Sequence, residues 1–239
     1  MALYRFVKEK PRVRLRAPKI ISLLLLSSGV FLLLWTVWPI VTFALVDSLQ
    51  LEKTISPLSD GKGKIGSAPS VLSGLTNSSE SELTNVNTWF PTKPQKKNNL
   101  PVTLYHISIP KLNIEGAEVA IAGDDLSEHL IHYGGTPLPG QYGNGVIFGH
   151  STLPQFYNPK NYKSIFSTLP SLENGDKVTL FFDGITYTYI VEDKVVVEPT
   201  DLSPLEQKFD DSYITLVTCV PPGTYWKRLN VKARLEAKL

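Results

Sequence analysis

Residues 213–235 read YITLVTCVPPGTYWKRLNVKARL, and this stretch predicts the fold. It holds two strand-like runs on either side of the turn signal Val220-Pro-Pro-Gly223. From Arg228 to Leu235 polar and apolar residues alternate strictly, which is the period of a strand with one face in a core. We therefore predict an antiparallel β-hairpin.

The register of this hairpin follows from the position of its turn. Pairing about the turn gives three cross-strand pairs: Cys219 with Arg228, Val217 with Asn230, and Leu216 with Val231. Cross-strand partners share a face, so a thiol would lie beside a guanidinium, which favours the reactive thiolate. A slip of one residue would exchange the two faces.

Cys219 is the only cysteine in the chain. One thiol cannot form an internal disulfide or a cysteine-based metal site, so the fold must hold without disulfides. Two interpretations remain: a small buried apolar side chain, or a reactive nucleophile. The residues alone leave both open.

Further strand-like runs fill the chain from about residue 100 onward. They cover residues 105–109, 116–121, 146–148, 178–182, 186–191 and 195–197. Asp183-Gly184 between two of these runs is a hairpin turn signal, and we expect short helices at Asp124–His132 and Ser164–Leu169. Many short strands with regular turn signals predict a mainly β domain over residues 100–239, either a closed barrel or a sandwich.

Four histidines are candidates for a catalytic or metal-binding role. His150 ends an apolar run that follows a Gly-Asn-Gly turn signal. His129 and His132 are spaced for one helix face, but no third ligand lies at a recognisable spacing, so we expect no metal site there. His106 lies in an alternating run and is expected to be structural. The residues alone do not rank His150 above His132.

The N-terminal part predicts a membrane anchor. Residues 1–19 carry seven basic residues and one acid, and residues 20–46 carry no charge. About 20 apolar residues cross a bilayer, and the basic flank stays inside. This predicts a cytoplasmic tail (1–19), a single transmembrane helix (20–46) in the cell membrane, and an extracellular remainder. A cleaved signal peptide has a shorter apolar core and a small-residue cleavage site, and fits less well.

Residues 47–99 are dense in Ser, Thr, Asn, Gly and Pro, with Trp89 and Phe90 as the only aromatics. Such a composition predicts a flexible extracellular linker with a reach of about 40 Å. The formal net charge of +2 becomes mildly acidic once the basic tail is set aside, so no nucleic-acid partner is expected.

A set of short motifs, in order, resembles the sortase family of cysteine transpeptidases, which are anchored on the outer face of bacterial membranes. The motifs cover roughly residues 103–237 and are Ile109-Pro-Lys111, Gly134-Gly-Thr-Pro137, Gly143-Asn144, Gly149-His150, Thr215-Leu-Val-Thr-Cys219 and Arg228. The resemblance implies a closed β-barrel of about eight strands. It also ranks His150 above the other histidines.

By this resemblance the protein would cleave an LPxTG-like sorting motif near the C-terminus of secreted proteins, through a thioacyl enzyme. It would then join the threonine to an amine acceptor such as a peptidoglycan cross-bridge or a pilin lysine. Cys219 would be the nucleophile and His150 the acid and base. Arg228 would stabilise the oxyanion and orient the peptide, and Thr218 would add a hydrogen bond to the peptide or to the oxyanion. The loop at residues 199–211 would lie over the peptide groove.

The resemblance implies no cofactor, although some members bind calcium. We expect the acidic residues near the front of the domain, Asp124, Asp125 and Glu128, to be solvated rather than to bind calcium. The other partner expected from the sequence is membrane lipid, through the N-terminal helix.

Two other functions compete with this one. Other cell-wall cysteine transpeptidases typically show a Ser-x-Gly-Cys setting, whereas Leu216-Val-Thr218 precedes the cysteine here. The second alternative is a membrane-tethered extracellular β-domain that binds a wall or protein ligand, with an inert Cys219. The reactivity of the thiol separates an enzyme from this second alternative.

Overall fold

The computed structural model describes residues 17–42, 45, 84–89, 93–96 and 102–236. The chain divides into two compact units, residues 1–38 and 39–239. The first unit holds most of one helix, and the second holds a β-barrel.

Helix α1, Ala17–Thr42, has the length and composition to cross a membrane once. Its 26 residues span about 39 Å at 1.5 Å per residue, more than the roughly 30 Å hydrocarbon core of a bilayer. The stretch Ile21–Trp38 has a mean hydropathy of 2.1 and none of it is buried. The predicted apolar helix is therefore present and starts three residues earlier than expected, while its predicted end at 43–46 lies largely outside the described residues.

Eight strands form a closed barrel, which confirms the predicted fold class. Their bounds are β1 Leu104–Ile109, β2 Ile114–Ile121, β3 Leu130–His132, β4 Gly143–Phe148, β5 Lys177–Phe182, β6 Ile185–Val197, β7 Ser212–Val220 and β8 Lys227–Leu235. Around the barrel the order is β1-β2-β3-β4-β7-β8-β6-β5. The β2–β3 and β4–β7 pairs are parallel and the other pairs are antiparallel. Short 3₁₀ helices lie at Val86–Thr88, Pro110–Leu112, Pro154–Phe156, Leu169–Ser171 and Ser203–Leu205.

The hairpin of β7 and β8 has the predicted register. The three expected pairs are present: Cys219 with Arg228, Val217 with Asn230, and Leu216 with Val231. Alternate residues of β7 consequently join two different clusters. Leu216 packs into the main core of the barrel, whereas Val217 and Cys219 pack in a second cluster on the other face of the strand.

The two predicted helices are wrong. Residues 126–128 form a turn, and Leu130–His132 is a fully buried strand between β2 and β4. The carboxylate of Asp125 accepts the backbone N–H and the hydroxyl of Ser127, a local pattern that competes with helix formation. Residues 162–168 form successive turns that end in the 3₁₀ helix Leu169–Ser171.

The predicted strand count was also imperfect around β6. This strand runs unbroken over Ile185–Val197, where the sequence predicts two shorter strands. Its register with β8 shifts between Val191 and Asp193. Such a bulge interrupts the alternation by which a strand is recognised in a sequence.

The predicted flexible linker is wrong at its C-terminal end. Residues 84–89 and 93–96, called the strap below, lie against the barrel, and Val86 and Trp89 are buried in the second cluster with Cys219. The rest of the predicted linker, apart from these residues, lies outside the described part of the chain.

Candidate active site

Cys219 and Arg228 lie side by side because the β7–β8 register makes them cross-strand partners. Nη1 of Arg228 donates a hydrogen bond to Sγ of Cys219 at 3.3 Å. Both side chains are buried, with 1% of Cys219 and 8% of Arg228 exposed. The hairpin thus positions a guanidinium directly on a thiol.

Burial dominates the acidity of this thiol. It raises the pKa of Cys219 to about 11, although the charge of Arg228 pulls the same pKa down. As expected, the contact with Arg228 favours the thiolate. The expectation of a reactive thiolate is nevertheless wrong for the described site, because desolvation raises the pKa of Cys219 more than one neighbouring charge lowers it.

His150 follows β4, whose parallel pairing with β7 extends to Phe148 opposite Val217, two residues before Cys219. The N–H of Gly149 donates to the carbonyl of Val217 at 3.1 Å. The hydroxyl of Ser151 donates to the carbonyl of Cys219 at 2.7 Å. The residues on both sides of His150 are therefore fixed to the strand that carries the cysteine.

Thr218 belongs to the same framework. Its side chain is fully buried, and its hydroxyl donates to the carbonyl of Gly149 at 2.8 Å. In the described structure this hydroxyl supports the backbone that precedes His150.

Gly149 is required by the close packing beneath the histidine. A Cβ at this position would lie 2.5 Å from Cδ2 of Phe166 and 2.6 Å from Cδ2 of Leu130. Any other residue would force these two side chains or the backbone at Gly149 to shift.

His150 itself is neutral in this environment. Burial lowers its pKa to about 4; the carboxylate of Asp125 raises this pKa and Lys163 lowers it. No described residue offers a hydrogen bond to the buried Nε2 atom of His150. At neutral pH the described site consequently contains an uncharged thiol and an uncharged imidazole.

His132 is not part of this site. It is buried, and its Nδ1 lies 2.8 Å from the hydroxyl of Tyr105. His129 instead faces Glu118, at 3.2 Å, so the two histidines do not share a helix face. Burial lowers the pKa of His132 to about 4 against the opposing effect of backbone hydrogen bonds at Thr136 and Pro137.

The free energy of unfolding should fall as the pH drops from about 6.5 to 4. His132 and His150 titrate near 6.5 in an unfolded chain but at about 4 in the fold, so the unfolded chain binds more protons in this window. Each histidine removes up to about 1.4 kcal/mol of stability per pH unit there, and above pH 7 their contribution is flat. Urea unfolding of the parent and of His132→Asn at several pH values measures this. The variant should show a clearly weaker pH dependence, and equal dependence in the two proteins would contradict the expectation.

Trp89 of the strap covers the site. Its ring centroid lies 4.4 Å from Cζ of Arg228 and 6.3 Å from the ring centroid of His150. Trp89 is 5% exposed and packs in the same cluster as Cys219. The indole therefore packs over the site that these three residues form. Sequence analysis missed it, although an aromatic pair in a polar stretch was the available signal.

The strap is held by hydrogen bonds on both sides of Trp89. On the first side, the side-chain amide of Asn87 donates to Asp124 at 2.7 Å, and the N–H of Val86 donates to the carbonyl of Asp124 at 3.0 Å. On the second side, Gln95 accepts from the N–H of Gly134 at 2.9 Å and donates to the carbonyl of Gly123 at 2.9 Å.

The barrel is shaped to receive the second side of the strap. The N–H of Lys96 donates to the carbonyl of Gly134 at 3.0 Å. A Cβ at Gly134 would lie 2.3 Å from the carbonyl oxygen of Lys96. Only glycine allows this approach, so the docked strap is a specific contact.

Replacing Trp89 by alanine should expose Cys219 to thiol reagents. The substitution removes a cation–π contact worth about 0.5–2 kcal/mol together with the burial of a large apolar ring. We expect modification by a methanethiosulfonate reagent to become at least about tenfold faster. Phe181→Ala, at an exposed position of β5, is the matched control and should leave the rate as in the parent. Equal rates in all three proteins would show that Trp89 does not limit access.

Acidic residues at the front of the domain already have partners within the protein. Asp124 accepts from Asn87, and Asp125 accepts from Ser127. Within the described ranges no group of three or more His, Cys, Asp or Glu side chains is arranged to hold a metal ion.

A thiol, an imidazole and a guanidinium on one closed barrel form a constellation for acyl transfer by nucleophilic catalysis. The family model of the sortase domain matches residues 107–236, more than half of the chain. The chain therefore belongs to the sortase family and is a cysteine transpeptidase.

Solved structures of sortases resemble the chain closely enough to support this assignment. Sortase C-1 from Actinomyces oris is 27% identical, with 58% of this chain and 76% of that chain covered, at a TM-score of 0.50. Sortase C1 from Streptococcus suis is 28% identical, covering 57% and 74%, also at 0.50. A lid mutant of sortase A from Corynebacterium diphtheriae is 26% identical, covering 64% and 78%, at 0.50. No curated protein matches the chain in a sequence comparison.

Proposed function

We propose that this sortase is a membrane-anchored transpeptidase that cleaves an LPxTG-like sorting motif and transfers the acyl part to an amine. The single observation that carries the proposal is the hydrogen bond from Arg228 to the sole thiol, Cys219, beside His150. The order of these residues matches the family pattern found in the sequence.

In the acylation step, Sγ of Cys219 attacks the threonine carbonyl carbon and an S–C bond forms. The guanidinium of Arg228 stabilises the negative charge that develops on the carbonyl oxygen. As the Thr–Gly C–N bond breaks, His150 gives its proton to the departing glycine amine.

In the transfer step, His150 takes a proton from the incoming amine, which attacks the thioester carbon. The C–S bond breaks, and the Cys219 thiolate leaves. The amine comes from a peptidoglycan cross-bridge or from a pilin lysine, and the donors are secreted proteins that carry a C-terminal sorting signal.

The covered site is a resting form in this scheme. Attack requires thiolate and imidazolium, whereas burial keeps both groups neutral in the described structure. Lifting the strap lets water solvate both charges, which moves the two pKa values toward each other. The proton of Cys219 can then pass to His150.

Peptide recognition is assigned to the loop between β6 and β7. Leu205 of this loop is buried in the cluster of Cys219 and Val217. The side-chain amide of Gln207 accepts from the backbone N–H of Asn144 on β4 at 2.9 Å and donates to the carbonyl of the same residue at 3.0 Å. These contacts hold the loop against β4 and β7. We expect it to form one side of a groove that binds an extended peptide.

Helix α1 would anchor the enzyme in the cell membrane in a single pass, in contact with lipid. The basic residues at positions 1–19 keep the N-terminus in the cytoplasm by the positive-inside rule. The barrel then lies on the extracellular side, where secreted substrates arrive.

The proposal is tested by incubating the full-length protein with a library of LPxTG-like peptides and a small amine. Mass spectrometry should detect products in which the amine is joined to threonine, and the preferred peptides define the motif. If no peptide of the library is cleaved while Cys219 still reacts with a thiol reagent, the proposed substrate class is wrong.

A further inference from the structure

Buried polar atoms without a hydrogen-bond partner gather around the thiol. Such atoms are rare in folded proteins, and each calls for an explanation. In the part of the chain that the structure describes, two of them lie on β8, Nε of Arg228 and Oδ1 of Asn230, and a third is Nε2 of His150, two residues after the end of β4. Arg228 and His150 already have proposed roles toward the substrate, whereas Asn230 has none.

Asn230 lies on the same strand and the same face as Arg228. It pairs with Val217, two residues before Cys219, as Arg228 pairs with Cys219 itself. Alternate residues of a strand point to one face and are about 7 Å apart. Only 8% of Asn230 is exposed, so its amide is buried on the face of the sheet that carries the thiol.

Asn144 is a structural asparagine in the same barrel, and its hydrogen bonds can be compared with those of Asn230. It is buried on β4, its amide nitrogen donates to the carbonyl of Pro204 at 2.9 Å, and its oxygen accepts from the hydroxyl of Thr215 at 2.9 Å. Both ends of Asn144 are thus used by the fold. The oxygen of Asn230 is not, although an unpaired buried oxygen destabilises a fold.

We infer that Asn230 is a peptide-binding residue, whose side-chain oxygen accepts a backbone N–H of the bound sorting motif when the strap is lifted. This inference rests on the proposed function. In the substrate complex the unpaired oxygen gains the partner that it lacks in the free enzyme.

The geometry selects one N–H of the peptide. In the proposed complex the threonine carbonyl lies at Cys219 and Arg228. An extended peptide that runs from there toward Asn230 follows the face of the sheet that carries these residues, beneath Leu205. The N–H of the variable residue before threonine is then about 6 Å from the carbonyl carbon. The residue before it is proline, which has no N–H to offer. Asn230 therefore accepts the N–H of the variable residue.

The first test compares Asn230→Leu with Asn144→Leu in the full-length protein. Asn230→Leu should keep or raise the thermal midpoint, because it removes an unpaired buried oxygen, and should raise KM for the peptide about tenfold. Asn144→Leu should lower the thermal midpoint, because it leaves Pro204 and Thr215 without partners. A lower midpoint for Asn230→Leu together with an unchanged KM would assign Asn230 to the fold and overturn the inference.

The second test changes the peptide rather than the protein, so the result for the parent does not depend on whether a variant folds. In a peptide whose variable residue is replaced by the matching hydroxy acid, an ester oxygen takes the place of the N–H. We expect the parent to lose about tenfold in kcat/KM on this peptide, and Asn230→Leu to lose less than about twofold.

The outcomes of these tests are distinct. An equal loss in parent and variant, or no loss in the parent, would overturn the role of Asn230 while leaving the proposed function intact. A parent that cleaves neither the peptide nor its ester analogue would overturn the proposed function and this inference with it.

Discussion

Replacing Cys219 by alanine should abolish cleavage of the sorting peptide, with a loss of at least about 10³-fold relative to the parent. Cys219 is the only thiol in the chain, so no other side chain can form the thioester. Peptide cleavage followed by mass spectrometry measures this loss.

The matched control for Cys219→Ala is Ser151→Ala. It removes the hydroxyl that contacts the carbonyl of Cys219 but leaves the thiol, and it should retain cleavage well above that of Cys219→Ala. A Cys219→Ala protein with the full activity of the parent would refute the enzyme mechanism.

Replacing Arg228 by lysine should reduce kcat/KM by about 10²- to 10³-fold although the charge is kept. The planar guanidinium can donate two directed hydrogen bonds, to the thiol and to the developing oxyanion, whereas an ammonium group acts as a point charge. Steady-state kinetics on the peptide measure the loss.

Arg234→Lys is the control for this substitution. Arg234 lies on the same strand, is 51% exposed in its side chain, and pairs with Asp211 at 2.6 Å. Its replacement should change kcat/KM by less than about twofold. Activity of Arg228→Lys within about threefold of the parent would show that Arg228 serves the fold alone.

The sequence was sufficient to predict the hairpin that carries two of the three site residues. Strict alternation between Arg228 and Leu235 predicts a strand with one apolar face, and the Pro-Pro-Gly turn before it predicts the register. That register places Cys219 opposite Arg228. The local pattern and the tertiary structure agree here, because the apolar face of the strand enters the core.

Tertiary contacts explain what the sequence could not predict. The three residues of β3 are a strand because β2 and β4 pair with them on both sides, whereas the spacing of His129 and His132 is that of one helix face. Trp89 lies in a stretch of linker composition, and its partners Arg228 and His150 are distant in sequence. The high pKa of Cys219 likewise depends on burial, which the sequence around the cysteine does not reveal.

In the proposed mechanism Cys219 carries the acyl group between donor and acceptor. Its most direct test is the mass of the full-length protein, quenched in acid during turnover of an LPxTG-like peptide. We expect an adduct with the mass of the peptide up to threonine, located on the fragment that contains Cys219 and released by an added amine. Cleavage of the peptide without any adduct on Cys219, in a protein that still turns over, would contradict it.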